Sequence, residues 1–270
     1  MEFAGFICAA LVGISLGVLG SGGSILTLPI MVYLMHVNPV EATGLSLFIV
    51  GITSATGGLT YVQKKLVDLR TAFIFAIPSI VAVFITRKFL LTRIPDTIFQ
   101  GHSFLLTKDL LVLIAFALLM MIVGYSMISN ADKQEPEIAK CREYNYRWLA
   151  AIGLLSGILT GLLGVGGGFI IIPALVLFAK IPVRMSVGTS LLIIAFNSLA
   201  GFIEEVMTRQ SLINYRFLFL FALCSVAGVF IGFKISMWLK AAQLKKIFGW
   251  FIIAMGVLMF VKEIFSAAMF

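Results

Sequence analysis

Uncharged apolar stretches of about twenty residues recur from one end of the chain to the other, and each could form a helix that crosses a bilayer. The apolar runs form two sets of five, which are 3–20, 24–37, 42–61, 71–91 and 109–129, then 148–164, 168–179, 185–204, 217–239 and 246–265. The only long polar stretch, residues 130–147, separates the sets. This pattern predicts an all-α polytopic integral membrane protein with about eight to ten membrane segments.

The composition supports a lipid environment. Hydrophobic residues make up 61% of the chain and charged residues only 12%, whereas about a quarter of a soluble domain is charged. The N-terminus has no basic region before its apolar run, so we interpret it as a retained membrane segment and not as a signal peptide. The net charge of +8 is attributed to loop Lys and Arg that orient a membrane protein, and not to nucleic-acid binding. A multi-pass cell-membrane protein is expected, in the cytoplasmic membrane if the source is bacterial.

The chain contains an internal repeat. Residues 13–57 align with residues 157–201 without a gap. The aligned pairs include Gly13, Gly17, Gly20, Gly22 and Gly23 with Gly157, Gly161, Gly164, Gly166 and Gly167, and Pro29 with Pro173. Each repeat is predicted to be a short glycine-hinged hairpin followed by three transmembrane helices. The single membrane domain, 1–270, would comprise repeat one (1–129), a cytoplasmic linker (130–147) and repeat two (148–265).

The number of membrane crossings in each half predicts that the repeats are inverted. Arm 24–37 would span about 21 Å and arm 168–179 about 18 Å, less than a hydrocarbon core of about 30 Å. Each half then makes an odd number of crossings, whether its hairpin crosses fully or re-enters. Thirteen Lys and Arg fall on one side of the membrane and seven on the other, which favours a cytoplasmic linker and an external N-terminus. Inverted repeats with broken helices are typical of secondary transporters, whose substrate binds at the midplane.

The glycine clusters are candidate anion sites. A turn followed by a helix leaves unpaired N–H groups and the positive end of the helix dipole, and glycine lets a ligand approach the backbone. The predicted substrate-binding residues are Ser21, Gly22, Gly23, Ser24, Gly166, Gly167 and Gly168. Glycines can instead serve close helix packing, which we favour for Gly13, Gly17, Gly157 and Gly161. A packing glycine is expected to accept one methyl group at small cost.

Hydroxyl and amide side chains interrupt two matched apolar helices. Ser46, Thr53 and Ser54 lie in 42–58, and Ser190, Asn197 and Ser198 lie in 186–202. They would contact an oxyanion or bond to their own helix backbone. The repeat favours Ser46, Ser190 and Asn197 as further substrate-binding residues.

The remaining polar residues suggest no catalysis. Arg184 is interpreted as an interfacial anchor that could also attract an anion. No spacing suggests a metal site, a cofactor or a catalytic constellation, so no enzymatic activity is expected.

The paired motifs "GVLGSGGSILTLP" and "GLLGVGGGFIIIPALV", each followed by G-x-S-L, resemble the TauE/SafE sulfite exporter family. The resemblance covers about Gly13 to Phe265 and implies a permease that moves sulfite or an organosulfonate across the cytoplasmic membrane. Ser24 stands where the second repeat has Gly168, so the two half-sites are chemically unequal. The implied partners are a small anion, the lipid bilayer and a proton or sodium as coupling ion.

Two other functions fit the same pattern. A passive anion channel would share the site without coupling to a gradient. A non-transporting membrane scaffold would tolerate bulky residues at the glycine turns. ATP hydrolysis is not expected, because the chain has no Walker A sequence.

Overall fold

The structure is a computed structural model. It describes residues 2–21, 23, 26–27, 30–31, 35, 37, 39–86, 97–101, 104–107, 118, 120–122, 124–129, 131, 146–163, 168–208 and 215–268. The division into repeats and the linker 130–147, of which little is described, therefore stay predictions.

Helices form nearly all of the described structure. They are α1 Glu2–Leu19, α2 Pro39–Gln63, α3 Leu69–Ile85, α4 Tyr146–Leu163, α5 Gly168–Pro173, α6 Val183–Thr208, α7 Tyr215–Trp238 and α8 Ala241–Ala268. A shorter apolar helix covers Met120–Ser129. Four segments are long and apolar enough to cross a membrane: Gly44–Gln63, Val183–Met207, Leu218–Trp238 and Ala241–Leu258. The prediction of an all-α, multi-pass membrane protein is confirmed.

One element was not predicted. Strands β1 (Thr97–Gly101) and β2 (Phe104–Thr107) pair as a two-stranded antiparallel sheet. They lie in the connection predicted between apolar runs 71–91 and 109–129. Helix α3 ends at Ile85, six residues before the predicted end of its run.

The second arm of the second hairpin is short and changes helix type. Helix α5 ends at Pro173, and residues Ala174–Phe178 continue as a π-helical turn. Proline has no N–H to donate, and both prolines and single π-helical turns interrupt the regular α-helical bonding pattern. Two backbone hydrogen bonds join the residues after this turn to carbonyls within it: Ala179 N–H donates to Ala174 O at 3.3 Å, and Ile181 N–H donates to Leu175 O at 3.2 Å.

The second arm of the first hairpin contains the same two backbone hydrogen bonds. Its bonds are Met35 N–H to Ile30 O at 3.2 Å and Val37 N–H to Met31 O at 3.0 Å. Each of these residues lies 144 positions before its counterpart in the second hairpin. The repeat therefore extends from the sequence to the backbone hydrogen bonds.

Helices from the two halves pack against each other in matched pairs. Helix α1 packs along α7, as its counterpart α4 packs along α3. Helix α2 packs along its own counterpart α6, while α3 contacts α6 and α7 contacts α2. Every major contact between the halves thus has an equivalent when the halves are exchanged.

Helices α2 and α6 run antiparallel. A Cβ atom on Gly44 would meet Glu205, one on Gly51 would meet Leu199, and one on Gly58 would meet Leu192. Residue numbers rise along α2 as they fall along α6. In this register residues 52–53 of α2 lie opposite residues 197–198 of α6, and residues 53 and 197 are equivalent in the two repeats, so we take residues 52–53 and 196–197 as the centre of the contact.

The other contacts give the directions of the remaining helices. In four other helix pairs, the residue numbers of the contacting residues increase along both helices. These pairs are α3 with α6, α7 with α2, α1 with α7, and α4 with α3. The contacts include Asp68 with Thr189 and Ser79 with Asn197, Gly57 with Val229 and Tyr61 with Ser236, Gly13 with Ser225 and Gly17 with Val229, and Gly153 with Phe75 and Gly157 with Ser79. These pairs are parallel. It follows that equivalent helices, α1 and α4, α2 and α6, and α3 and α7, run in opposite directions.

Candidate functional site

The first glycine cluster forms a turn at Gly20. Helix α1 ends at Leu19, and Gly20 has a φ of 70°, a conformation that glycine adopts without a steric penalty. Its N–H donates to Leu16 O at 2.7 Å, as in common helix C-caps. The predicted turn in this cluster is confirmed at Gly20.

This turn lies against the opposite repeat. A Cβ atom on Gly20 would lie 2.8 Å from Ser190 Oγ and 3.0 Å from Val187 Cα, both in α6. The Ser190 hydroxyl is 3.3 Å from Gly20 O and 2.8 Å from Val187 O. The structure therefore brings together two parts of the predicted site. It also shows that Ser190 makes the bond to its own helix that was the alternative interpretation.

The remaining predicted residues of the first turn are buried. Ser21 is buried, and a Cβ atom on Gly23 would lie 2.5 Å from both Val12 O and Leu16 Cγ. Gly23 thus allows the second arm of the hairpin to approach α1. Thr27 Oγ1 donates to Gly23 O at 2.7 Å, which occupies that carbonyl.

Ser46 is buried within α2 and Gly168 begins α5. Gly22, Ser24, Gly166 and Gly167 lie outside the described residues. Their part in a substrate site, like that of the other predicted site residues, stays a prediction.

The Gly20 turn lies off the centre of the α2–α6 contact. Ser190, which it contacts, is six to seven residues from the central positions 196–197 of α6. At the helical rise per residue this corresponds to about 10 Å. The turn therefore lies about midway between the middle of α6 and its N-terminal end at Val183.

Small polar side chains occupy the centre itself. Thr53, Ser54, Asn197 and Ser198 are at most 2% exposed. Asn197 Nδ2 donates to Ser79 Oγ at 2.9 Å. Among the described residues no hydrogen-bond partner is found for Ser54 Oγ, Ser198 Oγ or Asn197 Oδ1. Neither Ser54 nor Ser198 was selected from the sequence as a substrate-binding residue, although their equivalence in the two repeats could have indicated such a role.

Arg184 is bound to the end of a helix. Its Nη2 donates to Leu239 O at 2.6 Å and lies 3.5 Å from Met237 O. A guanidinium in this position satisfies terminal carbonyls of α7 and interacts favourably with the helix dipole. The contact gives Arg184 a structural role that the sequence did not indicate.

Tyr61 joins three helices and was missed in the sequence, where it belongs to no motif. Its hydroxyl on α2 lies 3.1 Å from Gly17 O on α1 and 3.0 Å from Ser236 Oγ on α7. Its ring packs edge-on against Phe233 at a centroid distance of 4.8 Å. In the part of the chain that the structure describes, no three His, Cys, Asp or Glu side chains gather as metal ligands would.

The packing interpretation is confirmed for three glycines. Cβ atoms on Gly13, Gly17 and Gly157 would collide with the carbonyl oxygens of Ser225, Val229 and Ser79. The expectation that such a glycine accepts a methyl group cheaply is wrong for these positions, because the neighbouring atom is backbone and not a movable side chain. The surroundings of Gly161 lie outside the described residues.

Comparison with known proteins agrees with these features. The chain matches the model of the sulfite exporter TauE/SafE family over residues 5–259. It is 28% identical to a probable membrane transporter protein of Xylella fastidiosa, over 92% of this chain and 90% of that one. It is 26% identical to the probable membrane transporter protein YunE of Bacillus subtilis, over 86% and 87% of the two chains. No solved structure matches it. The chain belongs to the sulfite exporter TauE/SafE family of multi-pass membrane transporters.

Proposed function

We propose that this protein is a secondary transporter that moves a small sulfur-containing anion, such as sulfite or an organosulfonate, across the membrane. The observation that carries the proposal is the Gly20 turn, which lies in contact with α6 of the opposite repeat. Irregular backbone in a membrane protein is tolerated where it is buried in protein or lines a cavity. In inverted-repeat transporters such breaks lie at the interface between the repeats, where substrate binds.

The directions of the helices support an inverted arrangement of the repeats. Helices α2 and α6 each contain a segment long enough to cross a membrane, and they run antiparallel. When both cross the bilayer, equivalent helices of the two halves enter it from opposite sides. An alternating-access cycle then follows from exchanging the conformations of two similar halves.

The polar groups at the interface suit a small oxyanion. The central serines would supply hydroxyls, and the predicted start of the second arm after Gly20 would supply backbone N–H groups at a separate position along the pathway, so binding would not need a basic side chain. Arg184 is not the binding charge in this proposal, because its guanidinium is bonded to the end of α7. Substrate charge would then be stabilised by dipoles, as at other helix-terminus anion sites.

Uptake into proteoliposomes tests the function. Purified protein is reconstituted and offered sulfite, a short organosulfonate, sulfate and chloride, each with and without an imposed proton or sodium gradient. We expect saturable uptake of sulfite or the organosulfonate that increases with one of the gradients. Flux that does not respond to either gradient would show a passive channel, and absence of flux for every anion would favour a scaffold.

Cysteine labelling tests the inversion of the repeats. In a background without the native cysteines, Lys64→Cys and Lys240→Cys introduce labelling sites at exposed positions after α2 and α7, and Met207→Cys near the end of α6. An impermeant maleimide added to intact cells should label Met207→Cys only, because the excess of Lys and Arg predicts a cytoplasmic location for the other two positions. Labelling of Lys64→Cys and Met207→Cys from the same side would contradict the inverted arrangement.

A further inference from the structure

The contact between α2 and α6 is closely packed around its centre. We call this contact the central seam, defined by Gly51, Ser54 and Gly58 of α2 and by Ser198 and Gly201 of α6. Cβ atoms on Gly51 and Gly58 would lie 2.9 Å from Leu199 Cδ2 and 2.6 Å from Leu192 Cδ2. Leucines of one helix thus fill the spaces left by glycines of the other, and the seam is closed in this structure.

Two serines lie within the seam at equivalent positions of the repeats. Ser54 is three residues after Gly51 and four before Gly58, and Ser198 is three before Gly201, so each lies on the helix face that contacts the other helix. Ser54 is near the middle of the candidate span Gly44–Gln63, and Ser198 is about 5 Å along α6 from the middle of its own span. Both therefore lie at mid-membrane depth.

The hydroxyls of both serines are buried, and neither has a partner in the part of the chain that the structure describes. Each serine is 0% exposed, and no hydrogen bond to either Oγ is found within the described residues. The usual alternative is not realised here, since neighbouring Thr53 and Thr56 donate to carbonyls of their own helix and Ser54 does not. A buried polar group without a partner costs free energy, so the closed seam is less stable than an apolar one of the same shape would be.

We infer that the central seam opens during transport and that Ser54 and Ser198 then donate hydrogen bonds to the oxygens of the transported anion. The inference rests on the proposed function and assigns the central contacts of the substrate. An oxyanion needs donors, and two hydroxyls provide one from each repeat. Because the two serines are equivalent, the same pair is available whether the seam opens towards one side of the membrane or the other.

Asn197 adds a third group beside the pair. Its Nδ2 donates to Ser79 Oγ, while its Oδ1 has no partner in the described part of the chain. A half-turn of the amide retains the bond, with the Ser79 hydroxyl donating to Oδ1, and turns Nδ2 into a donor for the anion. In the present orientation the three unpartnered oxygens would suit a sodium ion instead, and the experiment separates the two ligands.

Alanine substitution of the serines tests the inference. Ser54→Ala, Ser198→Ala and the double variant are compared with the parent for sulfite uptake and for thermal unfolding in detergent, with and without sulfite. Each single variant should raise the KM for sulfite about tenfold, the effect of losing one hydrogen bond to a charged group. Unfolding without sulfite should occur at the parent temperature or above it, since no partnered hydroxyl is removed. Stabilisation by sulfite should disappear in the double variant.

A matched control removes a partnered hydroxyl from the same helix. Thr56 Oγ1 donates to Ile52 O at 2.9 Å, and Thr56→Val should leave the KM for sulfite unchanged. An unchanged KM in both serine variants, or a lower unfolding temperature with an unchanged KM, would overturn the inference. A change in the sodium concentration for half-maximal uptake with an unchanged KM for sulfite would overturn it in favour of a cation site. If the parent transports no anion, the proposed function itself fails.

Discussion

Replacing Gly228 with leucine is expected to prevent the protein from reaching a stable folded state. A Cβ atom at this position would collide with Ala10 O and lie 3.0 Å from both Gly13 Cα and Ile14 N. These atoms belong to the backbone of α1, so α1 and α7 would have to separate along the whole of their contact. Overpacking by a few methylene groups costs about 1–3 kcal/mol or more, and the entire stability of a typical protein is about 5–15 kcal/mol.

The yield of monodisperse protein after membrane extraction and the melting temperature measure this effect. Gly228→Ala should be destabilised by a smaller amount, about 1–3 kcal/mol. An alanine, Ala82, contacts Gly157 in the equivalent α3–α4 pair, which shows that such a pair can accommodate one methyl group. Gly201→Ala is the control, because its Cβ would lie 3.3 Å from the end of the Leu47 side chain. A Gly228→Leu protein that melts with the parent would show that the α1–α7 contact does not limit stability.

Gly20→Ala is expected to lower the free energy of unfolding by about 2–4 kcal/mol. A left-handed conformation costs a residue with a side chain about 1–2 kcal/mol, and the close contacts with α6 add an overpacking cost. Gly44→Ala is the matched control. Its Cβ would lie 3.1 Å from Glu205 Cγ, an atom of a flexible side chain, so a change within about 1 kcal/mol is expected.

A double-mutant cycle locates the Gly20 effect. Ser190→Ala removes the atom nearest to the added methyl group, Ser190 Oγ at 2.8 Å. Gly20→Ala should therefore cost about 1 kcal/mol less in the Ser190→Ala background than in the parent, because the two positions are in contact. Equal costs in both backgrounds, measured by thermal or denaturant unfolding, would show that the turn does not contact α6 as described.

The candidate site could be predicted in part. Glycine spacing and the internal repeat were enough to predict the turn at Gly20 and the packing role of Gly13, because both depend on the absence of a side chain. The contact between that turn and Ser190 follows from no local pattern, and Ser190 was selected only because the repeat gives it an equivalent in Ser46. The bond between Arg184 and the end of α7 could not be predicted, since the two partners are more than fifty residues apart and belong to no motif.

Only the structure could show which of the buried serines have a hydrogen-bond partner. The same residue type in an apolar helix can bond to its own backbone, to a neighbouring helix or to a ligand. Ser190 makes a backbone bond, whereas Ser54 and Ser198 are buried without a partner among the described residues. Their sequence surroundings are alike, so only the positions of the neighbouring helices separate these cases.

The sequence by itself determined the membrane class, the duplicated design and the turn at Gly20. These features follow from local chemistry, because a chain with so few charged residues cannot cover its surface in water and glycine alone allows certain backbone conformations. The tertiary structure decided which helices are neighbours: α1 lies on α7 of the other half, and α2 lies antiparallel to its own counterpart α6. Lipid surrounds every apolar helix equally well, so helix partners are selected by the close fit of small residues and by interhelical hydrogen bonds. That fit depends on surfaces far apart in the chain, which no local pattern contains.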